Sequence, residues 1–211
     1  MKKYFTLILI LILTFCSSKK NIELTPTEKK NITKKIHNDI SFFCNAFNNK
    51  KYDSILDMMI PDIFLITSRE SFKESFKKAD SIGLDLKINL KKIDSLGNLI
   101  EFRNKTYSLI YYNTEMIMDN SPIYETIFNN RKISEKKKDT YINKWNKKKL
   151  EHYISVYGKE NVTQSLNKFY INSSKIMIGM SEKKLENWKY LEFIKGEDNI
   201  FIEELVKKLT E

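Results

Sequence analysis

The sequence predicts an α+β domain in which N-terminal helices pack on an antiparallel sheet and a basic helical segment interrupts the strands. Three observations carry this reading. Apolar residues first recur at three- and four-residue spacing, then alternate one by one beyond Gly83. Helical spacing returns between Asp119 and Tyr157, and strand-like runs resume after it. The chain has 211 residues, enough for one domain with a substantial core.

The first helix has a defined start. Thr25 can cap it, Pro26 suits its first position, and Glu28 completes a capping box. Ile32, Ile36, Ile40, Phe43, Cys44 and Phe47 then form an apolar stripe to about Asn48. A second, short helix carries Tyr52, Ile55, Leu56 and Met59 and ends at Pro61. Thr67 and Glu70 suggest another capping box, opening a helix with Phe72, Phe76 and Ala79 that stops near Gly83. Leu84, Leu86, Ile88 and Leu90 alternate with polar residues, as a strand with one wet face does.

Asp94-Ser95-Leu96-Gly97-Asn98 is expected to supply a hairpin turn, and residues 99–118 to form one or two strands. Alternation places Tyr107, Leu109 and Tyr111 on one face and Ile110, Tyr112 and Met116 on the other. Ser121-Pro122 breaks the sheet. A helical insertion over about 120–160 follows, with Tyr141, Trp145, Leu150, Tyr153, Ile154 and Tyr157 on its apolar side and Gly158 as its C-terminal cap. Strands are expected again at 169–180 and 187–195, with a polar turn at Glu182-Lys183-Lys184, and a last helix at 199–209.

The N-terminus reads as an export signal. Lys2 and Lys3 precede the apolar run Leu7 to Leu13, which is too short to cross a bilayer comfortably. Leu13-Thr14-Phe15-Cys16 ends it and resembles the lipobox of bacterial lipoproteins, with Phe15 where a small residue usually precedes the cysteine. The resemblance implies residues 1–15 as a removed signal peptide, lipid attachment at Cys16, a tether over 16–24 and a single domain over 25–211. Ser17 is not an acidic retention residue, so the implied location is the outer membrane, facing the periplasm. With Cys16 lipidated, Cys44 has no partner for a disulfide and reads as a small core hydrophobe.

A second resemblance concerns the domain. It rests on Phe47 to Ile55 as a helix-loop-helix, on the proline after Met58-Met59-Ile60, on the tyrosine-rich strand, on Tyr157-Gly158-Lys159-Glu160-Asn161-Val162, and on Trp188 to Phe193. Together these are similar to the nuclear transport factor 2-like (cystatin-like) class, including uncharacterised envelope proteins. The resemblance implies a curved, cone-like sheet over roughly residues 28–196. Such cones include both enzymes and non-catalytic binding modules. Enzymes among them place an Asp, His or Tyr inside the sheet, which makes Tyr107, Tyr111, Tyr112 and Tyr190 the candidate pocket residues. The same tyrosines can equally pack the sheet against the first helix.

Chemistry has little other footing in the chain. The two histidines, His37 and His152, have no second ligand at helical spacing, and no metal or cofactor motif occurs. Five glycines form neither a phosphate-cradling loop nor a nucleophile elbow. The net charge is +10, and most of it lies in 131–149, which holds Arg131 and eight lysines against Glu135 and Asp139. An exported protein has little access to nucleic acid, so anionic lipid or acidic surface polymer is the partner such a segment fits, beside the plainer reading of a solvated helix face. The residues favour a non-enzymatic, membrane-tethered module binding a small ligand or an envelope protein. The alternative is a hydrolase or isomerase using a Tyr/Asp pocket inside the cone.

Overall fold

The computed structural model describes residues 20–81, 85–129, 133–182 and 185–193. Cys16, the signal segment, Gly83, Lys183-Lys184 and the helix expected at 199–209 lie outside them. The fold is α+β: five helices, α1 (Pro26–Asn48), α2 (Tyr52–Met58), α3 (Arg69–Ser81), α4 (Ser121–Asn129) and α5 (Glu135–Tyr157), lie around one open antiparallel sheet. Its strands are β1 (Lys20–Ile22), β2 (Asp85–Leu96), β3 (Leu99–Phe102), β4 (Lys105–Asp119), β5 (Val162–Ser165), β6 (Lys168–Ser181) and β7 (Lys189–Phe193).

β4 and β6 form the spine. They pair without a break from Thr106↔Ser181 to Asp119↔Lys168, and both faces of β4 are covered, as its two-sided apolar pattern requires. β2 and β3 run end to end along the far side of β4, while β5 and β7 share the outer side of β6. The turn expected at Asp94 to Asn98 is not a turn. The register slips by one residue between Leu90 and Lys92, again between Ile93 and Ser95, and once more across Gly97-Asn98. Each slip is a bulge that leaves the strand paired but bends and twists it, and three in succession curve the sheet. The chain reverses instead at Arg103-Asn104, a two-residue hairpin with both residues at positive φ (50° and 59°), as this tightest turn demands.

Two further expectations shift. Residues 20–22, read as part of a tether, pair with β3 from Lys20↔Glu101 to Ile22↔Leu99. At the start of α3 the side-chain cap comes from Ser68, whose Oγ accepts from the Ser71 amide at 3.1 Å; Thr67 and Glu70 do not form the box. The α1 box forms as the residues predict, with Thr25 N–H donating to Glu28 at 2.8 Å and Glu28 N–H to Thr25 Oγ1 at 3.3 Å. At its other end Asn48 lies against the outer edge of β2. Its amide donates to the Ile88 carbonyl (3.0 Å) and its carbonyl accepts from the Ile88 amide (2.8 Å), satisfying groups an edge strand leaves open.

The core divides by face. Ile32, Ile36, Ile40 and Cys44 of α1 pack on Leu96, Ile110, Tyr112, Met177, Trp188 and Tyr190. Gly179 makes this possible, since a Cβ there would lie 2.8 Å from Ile110 and 3.0 Å from Trp188. Farther along the same face, Leu150, Tyr153, Ile154 and Tyr157 of α5 cover Met116, Val162 and Ile171. On the opposite face, Ile60 packs with Ile100, Tyr107, Leu109, Ile178 and Met180.

Candidate functional site

The four candidate tyrosines do not converge. Tyr112 and Tyr190 lie in the cluster under α1, whereas Tyr107 and the half-buried Tyr111 belong to the opposite face. Strand alternation separates them, because Tyr111 and Tyr112 are adjacent and must point apart. Burial pushes the Tyr112 and Tyr190 phenols far above their ordinary pKa, and burial likewise raises Tyr107. Each is held as a neutral phenol. Tyr190 donates to Asp39 of α1 at 2.6 Å, which also opposes its ionisation. This is a tyrosine–carboxylate pair under α1, but Tyr190 is only 3% exposed, with Ile36 and Ile40 packed into the same cluster.

Cys44 also belongs to that packing. It is buried and free, and burial raises its thiol to about 11, so it is protonated and unreactive at neutral pH. Lys175 and Glu192 pair beside it. His37 and His152 are exposed on helix faces, and among the described residues no group of three His, Cys, Asp or Glu side chains stands close enough to hold a metal.

Open space lies elsewhere. A 440 Å³ groove runs between β1, the start of α1 and the Gly97-Asn98 bulge, bordered by Glu23, Leu24 and Lys29. A smaller cavity of 60 Å³ is lined by Phe47, Tyr52, Phe76, Asp80 and Asp85. Tyr52 stacks on Phe76 and donates to Asp80, and Lys50 also pairs with Asp80 at 3.2 Å, so the chain's own ammonium already neutralises that carboxylate. Among the described residues, Tyr52 on Asp80 is the one hydroxyl–carboxylate pair bordering these two spaces, and burial together with that carboxylate raises its phenol to about 12, so it is protonated at neutral pH.

The most distinctive surface is the basic insertion, which is two helices and not one. α4 and α5 join through the rings of Tyr124, Phe128, Tyr141 and Trp145, with centroids 5.7–6.4 Å apart. A buried amide network lies beneath them. Tyr124 donates to Asn146 Oδ1 at 2.6 Å, Asn146 Nδ2 donates to Asn167 Oδ1 at 2.9 Å, and Lys149 donates to Asn120 Oδ1 at 2.5 Å. Asn120 is fully buried and Asn146 is the one buried residue of α5. Burial lowers the Lys149 pKa, and its ammonium also lies 5.8 Å from the Tyr124 ring. Lys149 is therefore structural, although its type and neighbours place it with the surface charge.

Sequence reasoning missed this network. Asn146 falls between Ile142 and Leu150 on the inward side of the helix, and a polar residue there was the available signal. The remaining lysines point out. Lys136, Lys137, Lys144, Lys147 and Lys148 are exposed and, among the described residues, no carboxylate pairs with any of them, while Lys138 reaches Glu135 at 3.8 Å. Gly158 ends α5 at φ +88°, where a Cβ would lie 2.5 Å from Glu160.

No protein-family model matches the chain, and no curated protein or solved structure matches it.

Proposed function

We propose that the protein is a lipid-tethered envelope module without catalytic activity, acting through its surface on a ligand or protein of the cell envelope. The carrying observation is the filled sheet face: Ile36 and Ile40, 0% and 1% exposed, occupy the space above Tyr112 and Tyr190 that a substrate would need. A hydrolase or isomerase of the cone type needs a tyrosine–carboxylate pair open to the inside of the sheet, and in the Tyr190–Asp39 pair the tyrosine is 3% exposed beneath α1. One long helix on a bulged antiparallel sheet also supports the cystatin-like resemblance, which stays part of this proposal.

The tether rests on the residues of the N-terminal segment, with Cys16 as the attachment point, and the proposed location is the outer membrane, facing the periplasm. The test is expression of the full chain in a two-membrane bacterium, membrane fractionation, and mass spectrometry of the mature N-terminus. A diacylated or triacylated Cys16 in the outer-membrane fraction is expected. An unmodified, soluble N-terminus would overturn the tether.

A further inference from the structure

The two ends of the sheet carry different equipment. β1 pairs with Glu101, which pairs with Thr106 at one end of β4. α5 covers Met116 and Ile171 at the other end, and its Asn146 reaches the Leu166-Asn167 turn beyond the last strand pair. Thr106 to Asn120 spans fourteen steps of strand, so Lys20 and the basic half of α5 stand roughly 40 Å apart. Lys20 is four residue steps from Cys16, a span of about 14 Å at most. Attachment at Cys16 thus holds the β1 end close to a membrane, and the lysine face sits at the far pole. Screening at physiological salt acts over about 8 Å, far less than that separation.

The charge there is concentrated against its own interest. Lys144 lies three and four residues from Lys147 and Lys148, spacings at which like charges destabilise a helix by about 0.2–0.5 kcal/mol each. Some lysines elsewhere pair with carboxylates, as at Lys73–Asp53, Lys91–Glu115, Lys105–Asp62 and Lys168–Asp119, and Lys29, Lys30, Lys34 and Lys35 of α1 are exposed like those of α5, but without an exposed tyrosine among them. On α5, Asp139 and Glu151 are exposed but, among the described residues, neither pairs with a lysine. Tyr141, 46% exposed and backed by Phe128, is on the stripe Lys137–Tyr141–Lys144–Lys148. A half-exposed ring flanked by ammoniums fits a sugar ring that carries an anionic group, the ring stacking and the charge pairing.

We infer that the outward face of α5 docks an acidic glycan at the pole away from the tether. This rests on the tethered reading above for its orientation, but not for the binding itself. The test uses the full, lipidated chain in phosphatidylcholine vesicles with fluorescein-labelled polygalacturonate, and dextran as the uncharged control. Capture of polygalacturonate on floated vesicles is expected, weakening as salt rises. Lys144→Gln/Lys147→Gln/Lys148→Gln should weaken it roughly tenfold or more, which is about 1.4 kcal/mol. Tyr141→Ala should weaken it several-fold with the salt dependence kept.

Equal capture by wild type and the triple variant would overturn the inference. So would loss of capture when 30% phosphatidylglycerol is added, accompanied by protection of these lysines from acylation, because that outcome assigns the face to the membrane. If the chain does not float at all, the tether fails, and anisotropy of labelled polygalacturonate with the unfloated chain still decides the glycan.

Discussion

α1 and α5 are both 23 residues long and lie on the same face of the same sheet, yet they are held by different means. α1 buries Ile32, Ile36, Ile40, Cys44 and Ala46, and its N-terminus is closed by a reciprocal box. α5 buries one residue, an asparagine, and its first turn has no side-chain cap. The first is fixed by removing aliphatic surface from water; the second by half-buried Leu150, Tyr153, Ile154 and Tyr157 on the sheet in its last turns and, in its basic half, by ring contacts with α4 and an amide network. The contrast teaches where the chain can carry charge. The basic half of α5 is fixed by rings and amides and not by an aliphatic stripe, which leaves its outward side to lysine.

The comparison breaks most readily at α1. Ile36→Ala should destabilise the domain by about 3 kcal/mol, because the side chain is wholly buried between helix and sheet and its removal leaves a cavity. Urea unfolding followed by fluorescence checks this, with Trp188 reporting on the α1 cluster and Trp145 on the α4–α5 pair. A loss below 1 kcal/mol would mean that α1 is not the principal plug.

Asn146→Ala should cost about 2 kcal/mol, since it strands the buried Tyr124 hydroxyl and removes the donor to the part-buried Asn167 Oδ1. The Trp145 and Trp188 transitions should shift together if one cooperative unit includes both helices. A shift confined to the Trp145 signal, read with Trp188→Phe and Trp145→Phe backgrounds, would show α4–α5 as a separately melting lobe.

Alkaline pH acts on both helices, since burial raises the Tyr124 and Tyr153 phenols around α5 as well as Tyr112 and Tyr190 under α1, and the α1 pair can be read by itself through substitution. Tyr112 and Tyr190 have folded pKa values raised above the unfolded value near 10, so their contribution is complete below pH 10 and is lost as pH climbs above it. Stability should stay flat with respect to these groups from pH 7 to 9, then fall by up to about 1.4 kcal/mol per pH unit for each. Tyr112→Phe should reduce the slope by one such increment. Unchanged slope in that variant would place the ionisation elsewhere.

The long periodic elements were legible because their patterns are set by burial. α1, α2, β4 and β6 follow from their apolar spacing, and Thr25-Pro26-x-Glu28 located a helix start to the residue. Short strands were not legible: β1 and β5 have three and four residues, too few for alternation to show, and are defined by their partners. Gly97-Asn98 misled because a bulge and a turn need the same permissive residues, and only the long-range register distinguishes them. The tyrosine pocket misled differently, since grouping Tyr111 with Tyr112 conflicts with the alternation that identified their strand. The lysine face was visible as composition, but its position opposite the β1 end required the sheet register.

The smallest effect tests the helix starts. Thr25→Ala should cost about 1 kcal/mol, because the hydroxyl accepts from the Glu28 amide and the exchange also weakens the reciprocal bond that the Thr25 amide donates to the Glu28 carboxylate. Ser134→Ala at the start of α5 should change stability by no more than a few tenths, because that hydroxyl makes no capping bond. Both sites are exposed, both residues have extended backbone (ψ 155° and 146°), and both replacements are the same residue type, so the pair isolates the cap from burial. Equal losses at the two sites would mean that Ser134 caps α5 in solution, and the contrast between a locally specified helix and one positioned by its neighbours would then rest on the core alone.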